Sequence, residues 1–244
     1  MRIIIAKSSS EAVEIVSDMI FNKLQSEQDL VLGLATGKTM EPVYKEVVEK
    51  VKASHLDLRS HRFFMLDEYI GLSTSHPSSF KSYINRHLIA PLKLVSDQFQ
   101  FPTVGTEHLS KAGEVYEEKI KQAGGIYLQL LGIGSNGHIG FNEPGSSSDS
   151  RTRIVKLTEE TRKANQSQFE SGSVPEEALS MGVASIMDAK ELLMLATGAS
   201  KADAIKYLFN HHDDESCPAT FLKAHPRFTL VLDPEAAGKI SLNI

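Results

Sequence analysis

This chain of 244 residues has very few of the features that mark exported or membrane-spanning proteins. Its single cysteine, Cys217, excludes an internal disulfide, which fits a reducing compartment. No stretch approaches the roughly 20 apolar residues that a transmembrane helix needs. The apolar run at residues 3–6 is too short for the core of a secretory signal. We therefore expect a cytoplasmic protein with no membrane among its partners.

Positive charge is also scarce. The chain has 26 Lys and Arg against 31 Asp and Glu, a formal net charge of −5. This balance argues against nucleic acid or an anionic membrane as the main partner, although a local basic pocket can exist on an acidic protein. The content of 41% hydrophobic and 23% charged residues is typical of globular proteins. Because we find no repeat, linker or composition break, we predict one domain over residues 1–244.

Short apolar segments alternate with amphipathic ones along the chain. Strands are expected at 2–6, 30–34, 63–66, 126–133, 192–196 and 228–232, and helices at 8–25, 41–52, 80–89, 110–122 and 200–209. Such alternation is typical of a mainly parallel sheet covered by helices on both faces. The predicted fold class is therefore α/β, with three α/β/α layers.

Four polar segments follow predicted strands, and this placement predicts one pocket. In open parallel sheets, ligands bind beyond the carboxyl ends of the strands. The four segments are residues 34–39, 67–69, 134–143 and 197–201. Because all of them leave strands in the same direction, we expect them at the same edge of the sheet.

The segment from Gly132 to Gly145 is the most informative of the four. It contains five glycines in fourteen residues, and it also contains one imidazole, one carboxylate and two carboxamides. The glycines allow tight turns and a close approach of the backbone to a ligand. A loop that only connects two elements has no need for His138 and Glu143 among glycines. We therefore interpret this segment as part of a functional site.

The tetrapeptide Leu-Ala-Thr-Gly occurs twice, at 34–37 and 195–198. Each copy leaves a predicted strand and enters a predicted helix, so free N–H groups and the helix dipole are expected to face the pocket, an arrangement that binds phosphate. Helix capping and tight turning are the alternative interpretation. The first copy imitates a P-loop, but Leu32 stands where that loop requires glycine. The predicted phosphate ligands are Thr36, Gly37, Thr39, Ser200 and Lys201.

Taken together, these segments resemble the glucosamine-6-phosphate deaminase family over nearly the whole chain. The matching segments are 34–37, 66–72, 76–79, 132–144, 150–153, 200–202 and 218–222. The most specific are Asp-Glu-Tyr at 67–69 and Gly-His-Ile-Gly-Phe-Asn-Glu-Pro at 137–144. The resemblance implies a modified Rossmann-like fold. It also implies a hydrolase that converts glucosamine 6-phosphate and water to fructose 6-phosphate and ammonia, with neither a metal nor an organic cofactor.

The resemblance also implies a role for each catalytic side chain. His138 opens the sugar ring, since an imidazole that titrates near neutrality can move the proton concerned. Asn136 and Glu143 orient this imidazole and tune its basicity. Asp67 then carries a proton from C2 to C1, whereas Glu68 is expected to be structural. A mobile lid near residues 151–182 is expected to close over the site and exclude water.

Three positions depart from the family's usual pattern. The phosphate turn usually reads Gly-Gly-Thr-Pro, but here Lys38 follows Gly37 and Met40 follows Thr39. Ser167 stands where the family uses an arginine on the phosphate. We therefore predict that Lys38 binds phosphate in compensation. Because allosteric members have a lysine at the position of Val155 and a longer C-terminus, no activation by an N-acetylated sugar phosphate is expected.

Other functions remain open at this point. A galactosamine-6-phosphate deaminase/isomerase would differ only in the C4 hydroxyl of its substrate. A 6-phosphogluconolactonase shares the fold but has no use for a proton shuttle at Asp67. A sensor that binds a sugar phosphate without catalysis predicts loss of Asp67 or His138, and both are present. The expected partner is in every case a small sugar phosphate, and the sequence leaves open whether the protein is a monomer or a homo-oligomer.

Overall fold

The computed structural model describes residues 1–102, 109–169 and 173–241, and the strands within these ranges form two sheets. The strands are β1 Arg2–Ile5, β2 Val31–Leu34, β3 Arg62–Met65, β4 Asp67–Tyr69, β5 Phe99–Gln100, β6 Leu128–Leu131, β7 Arg153–Lys156, β8 Glu177–Ser180, β9 Glu191–Ala196 and β10 Phe228–Leu232. Seven of them form a parallel sheet in the order β1-β10-β9-β6-β2-β3-β5. Helices flank this sheet in three α/β/α layers, which confirms the predicted fold class.

The five predicted helices are present, with ends that differ by a few residues. The helices are α1 Ser9–Ser26, α2 Met40–Ser54, α3 Phe80–Ile84, α4 Ala90–Leu92, α5 Ala112–Gln122, α6 Glu159–Asn165, α7 Val183–Met187 and α8 Ala202–Asn210. Of these, α6 and α7 were not predicted from the sequence. The predicted helix at 80–89 is interrupted by a π-helical turn at Asn85–Ile89. Among the described residues, no helix is long and apolar enough to cross a bilayer.

Helix α1 illustrates how local chemistry sets the elements. Ser8 caps its first turn by accepting a hydrogen bond of 3.1 Å from the N–H of Glu11. Buried apolar residues recur at helical spacing along one face, at Ala12, Val13, Val16, Ile20 and Leu24. Strands β2 and β6 are buried over their whole length, which places them in the centre of the sheet.

A second sheet, in the order β4-β8-β7, was not predicted from the sequence. Its strands pair antiparallel, and Ser180 of β8 lies opposite both Asp67 and Arg153. The sequence predicts a strand that ends at residue 66 and a loop after it. In the structure, Asp67 is instead the first residue of β4, because this short segment pairs with a strand more than a hundred positions away.

The predicted lid, residues 151–182, contains β7, α6 and β8 together with a 3₁₀ turn at Gln166–Gln168. Residues 170–172 of this segment lie outside the described ranges. Two of its three elements belong to the small antiparallel sheet. The segment therefore lies beside β4, and so beside Asp67.

Candidate active site

The sheet topology brings the four polar segments together at one edge. Strands β9, β6, β2 and β3 are consecutive in the parallel sheet. The predicted segments at 197–201, 134–143, 34–39 and 67–69 each lie at or just after the end of one of these four strands. Because the strands run in the same direction, their carboxyl ends meet, as the sequence predicted.

The glycine-rich turn at 132–145 holds His138 against its own backbone. A Cβ added to Gly134 would lie 2.2 Å from Cε1 of His138, so any other residue at 134 would displace the imidazole. Gly137 has a φ of +84°, and a Cβ there would lie 2.2 Å from Sγ of the buried Cys217. The Gly137 carbonyl also accepts a hydrogen bond of 3.0 Å from the N–H of Ala219. The segment after α8 therefore packs against the glycine-rich turn and holds its backbone in place.

His138, Asn136 and Glu143 form a connected hydrogen-bonded group. The Nδ1 atom of His138 lies 2.7 Å from Oδ1 of Asn136 and 3.5 Å from Oε2 of Glu143. The amide nitrogen of Asn136 donates to the same Glu143 oxygen at 3.1 Å. Both oxygens near Nδ1 only accept hydrogen bonds, so a neutral imidazole carries its proton on Nδ1. The lone pair of Nε2 is then available to accept a proton from a ligand.

Glu143 is held in its ionised form. Only 7% of its surface is exposed, and this burial acts to raise the pKa of its carboxyl. The hydrogen bond to His138, the nearby Thr161 and Asn136 side chains and the charge of His138 outweigh burial and lower the pKa of Glu143 to about 2. Glu143 is thus a permanent negative charge beside the imidazole at neutral pH.

Asp67 is buried and lies next to the glycine-rich turn. Its partner in β8, Ser180, accepts a hydrogen bond of 3.1 Å from the N–H of Phe141. Burial, with a smaller contribution from the charge of Glu68, raises the pKa of Asp67 to about 8. Its Oδ1 atom has no hydrogen-bond partner within the described part of the chain. A buried carboxyl with a free oxygen and a pKa near neutrality is suited to exchanging a proton with a ligand.

Glu68, by contrast, is fully occupied by the backbone. Its carboxylate accepts hydrogen bonds of 2.9, 3.0 and 2.9 Å from the N–H groups of Tyr69, Phe80 and Lys81. These contacts join β4 to the first turn of α3 and leave the carboxylate no free role in chemistry. They support the structural role expected for Glu68.

The turn after β2 presents Lys38 to the lid segment. Gly37 has a φ of +110°, and its carbonyl accepts a hydrogen bond of 2.8 Å from the hydroxyl of Tyr83. Thr39 precedes α2 without a side-chain capping bond to that helix. The Nζ atom of Lys38 lies 3.5 Å from Oγ of Ser167, beside a cavity of about 210 Å³. Two of the three positions that depart from the family's pattern, Lys38 and Ser167, are therefore in contact.

The turn after β9 differs from the expectation that its N–H groups are free. The N–H of Gly198 donates to both carboxylate oxygens of Asp233, at 3.1 and 3.0 Å, and the N–H of Ala199 donates to Glu235 at 3.2 Å. That part of the prediction was wrong, because the acidic residues after β10 lie beside this turn. Lys201 in the same turn has no ion-pair or hydrogen-bond partner for its ammonium among residues described by the structure. Burial lowers its pKa.

Two threonines at the start of α6 lie beside Glu143 and were not predicted from the sequence. Oγ1 of Thr158 lies 3.3 Å from Oε1 of Glu143, and Thr161 is buried one turn further along the chain. Thr158 followed by two glutamates is typical of a helix start. That pattern marks the helix but says nothing of which side chain it contacts.

Comparison with known proteins agrees with this geometry. The model of the family described as glucosamine-6-phosphate isomerases/6-phosphogluconolactonase matches residues 6–231. A glucosamine-6-phosphate deaminase of Rhodopirellula baltica is 46% identical over 91% of this chain and 89% of its own. The glucosamine-6-phosphate deaminase 2 of Bacillus subtilis is 41% identical over 98% of both chains.

Solved structures give the same result. The structure of a monomeric glucosamine-6-phosphate deaminase superposes with a TM-score of 0.95 at 36% identity, covering 98% of this chain and all of the other. A 6-phosphogluconolactonase from Leishmania guyanensis shares the fold, with a TM-score of 0.78 at 20% identity over 99% of both chains. The chain therefore belongs to the glucosamine-6-phosphate isomerase/6-phosphogluconolactonase family.

Proposed function

We propose that this protein is a glucosamine-6-phosphate deaminase, a hydrolase that forms fructose 6-phosphate and ammonia from glucosamine 6-phosphate and water. The observation that carries the proposal is a buried carboxyl with an unpartnered oxygen, Asp67, whose partner strand contacts the turn that holds the hydrogen-bonded imidazole of His138. Lactone hydrolysis has no step for this carboxyl. The deaminase relatives at 46% and 41% identity support the same choice.

The first step opens the sugar ring. The Nε2 atom of His138 accepts the proton of the anomeric hydroxyl, and His138 then returns a proton to the ring oxygen of the sugar. Glu143 stabilises the imidazolium that forms between these two transfers, because its pKa of about 2 keeps it charged. Asn136 keeps the proton of the neutral ring on Nδ1.

The second step moves a proton from C2 of the open-chain substrate to C1. Asp67 is the shuttle, and it must be ionised when it accepts the C2 proton. With a pKa of about 8 in the empty site, it can be both base and acid near neutral pH. Removal of the C2 proton gives an enolamine, and delivery of the proton to C1 converts the enolamine into an imine at C2. Water then adds to C2, and ammonia leaves.

The phosphate of the substrate lies between the turns after β2 and β9. Each turn carries one lysine, and the ammonium of Lys201 is partly buried without a partner in the described ranges. The proposed phosphate ligands are Thr36, Gly37, Lys38, Thr39, Ser200 and Lys201. We propose a single-domain enzyme of the cytoplasm in which residues 151–182 act as the lid.

The direct test is ammonia release, measured with a coupled enzyme. Glucosamine 6-phosphate is the expected substrate. Galactosamine 6-phosphate, which differs only in the C4 hydroxyl, should react with a lower kcat/KM. Parallel assays with 6-phosphogluconolactone test the alternative activity of the family. Hydrolysis of the lactone without ammonia release from either amino sugar would contradict the proposal.

Lys38 is predicted to replace the arginine that the phosphate site lacks. Lys38→Gly, which restores the family's usual residue, should raise KM about 3- to 10-fold, because a charge-assisted contact to the phosphate is lost. Adding Ser167→Arg to this variant should recover much of the loss, since Ser167 lies 3.5 Å from the Lys38 ammonium. Lys38→Arg, which keeps the charge, is the control. An unchanged KM in Lys38→Gly would show that Lys38 does not bind the substrate.

A further inference from the structure

The first turn of α6 lies directly on the Glu143 carboxylate. The hydroxyl of Thr158 can donate to Oε1 of Glu143, at 3.3 Å. The buried hydroxyl of Thr161 lies close enough to lower the pKa of Glu143, yet it has no hydrogen-bond partner of ordinary geometry among the described residues. A further contact joins this turn to the glycine-rich turn, because Ser135 lies within 3.4 Å of Glu160.

We propose that Thr158 is a positioning residue that aims Glu143 at His138, so that ring opening depends on the position of α6. This inference rests on the proposed function only in assigning ring opening to His138. The contacts between α6 and Glu143 do not depend on that assignment.

The two oxygens of the Glu143 carboxylate contact different side chains, and this arrangement gives the physical reason for the proposal. Oε2 meets Asn136 and His138, whereas Oε1 meets Thr158. The terminal torsion of a glutamate is broad, so contacts at one oxygen leave the carboxylate free to rotate. A donor at the other oxygen removes this freedom and keeps Oε2 towards the imidazole.

The far end of α6 reaches the phosphate turn and the core of the small sheet. The amide nitrogen of Asn165 donates to the hydroxyl of Tyr69 at 3.0 Å, and Ser167 contacts Lys38. The rings of Phe169 and Tyr69 also pack edge to face, with centroids 5.6 Å apart. The helix and the 3₁₀ turn that follows it thus connect the phosphate turn, through Ser167, with the Glu143 carboxylate, through Thr158. A phosphate bound at Lys38 would hold α6 in this position and so favour this orientation of Glu143.

Replacing Thr158 with valine, beside a control that only weakens the helix, separates positioning from helix capping. Thr158 also caps α6 by accepting a hydrogen bond of 3.2 Å from the N–H of Thr161, so Thr158→Val removes both the cap and the Glu143 contact. Lys163→Gly is the matched control, since it weakens the same helix at an exposed position.

We expect Thr158→Val to lower kcat about 3- to 10-fold, the rate equivalent of one hydrogen bond, with a smaller change in KM. Thr158→Ser, which keeps the hydroxyl, should restore the rate, and Lys163→Gly should leave kcat near wild type. Carbon NMR of glutamate-labelled protein, assigned with Glu143→Gln, should report a higher pKa for Glu143 in Thr158→Val, because a donor to its carboxylate is lost. Among the described residues, His138 is the ionisable group in contact with this carboxylate, and the first turn of α6 carries Glu159, which pairs with Lys163, and Glu160.

The two readouts separate failure of this inference from failure of the proposed function. A wild-type protein that releases no ammonia contradicts the deaminase, while the titration of Glu143 still tests the Thr158 contact. A Thr158→Val variant that matches Lys163→Gly in kcat and leaves the pKa of Glu143 at its wild-type value would overturn the positioning role.

Discussion

Asp67→Asn is expected to lower kcat for glucosamine 6-phosphate by about 10²- to 10⁴-fold, the usual effect of removing a general base. Asparagine keeps the shape of the side chain but cannot accept the C2 proton. Because Oδ1 of Asp67 has no hydrogen-bond partner in the described part of the protein, the change should leave the surrounding contacts intact. Steady-state ammonia release by the purified variant provides the measurement.

An exposed aspartate provides the control for this variant. Asp149 contacts Ser147, at 2.6 Å, and Asp149→Asn should retain wild-type turnover. If Asp67→Asn kept more than half of the wild-type kcat with an unchanged circular dichroism spectrum, Asp67 would not be the proton shuttle.

Asp67→Asn should raise the thermal stability of the protein, although it lowers kcat. The pKa of Asp67 is about 8 in the folded protein, compared with an ordinary value of 3.8. Between these pH values the folded protein holds a proton that the unfolded chain has released, so the wild type loses stability as the pH rises. An asparagine at this position cannot ionise, and the variant should gain thermal stability relative to the wild type between about pH 4 and about pH 8. Thermal unfolding at several pH values tests this, and a constant difference in Tm would contradict the raised pKa.

Removing His138 and Glu143 together is expected to cost little more than removing the more important one alone. Both residues act in ring opening, so either loss disables the same step. His138→Gln and Glu143→Gln should each lower kcat/KM by about 10²-fold or more, and the double variant should resemble the worse single variant. The measurement is a double-mutant cycle on kcat/KM.

A second cycle shows what independence looks like in this enzyme. Lys201 is proposed to bind the phosphate, a separate task from ring opening. The losses in kcat/KM for Lys201→Gln and His138→Gln should therefore multiply when the two are combined. If the losses for His138 and Glu143 also multiplied, the two residues would not act as a unit.

Some features of the site could be predicted because they depend on sequence neighbours and on strand direction. The local sequence shows which residues follow β2, β3, β6 and β9, and parallel strands bring their carboxyl ends to one edge of the sheet. Likewise, the spacing of Asn136, His138 and Glu143 within one glycine-rich turn places them within reach of each other, and the structure joins them by hydrogen bonds.

Other features could not be predicted, because they depend on contacts between distant parts of the chain. Ser180 pairs with Asp67 across more than a hundred positions, and Asp233 occupies an N–H group of Gly198 that its local sequence left free. The contact of Thr158 with Glu143 could not be predicted either, because it depends on where α6 packs in the folded protein.

The sequence by itself determined the alternation of strands and helices, the parallel sheet, and the set of polar segments at its edge, because hydrophobic period and turn chemistry act over a few residues. Only the tertiary structure decided the environments of the reactive groups. Burial raises the pKa of Asp67, and the neighbours of Glu143 lower the pKa of its carboxyl. A carboxyl has the same chemistry in every unfolded chain, and its pKa in the folded protein is set by the water it has lost and by the donors and charges that folding places around it.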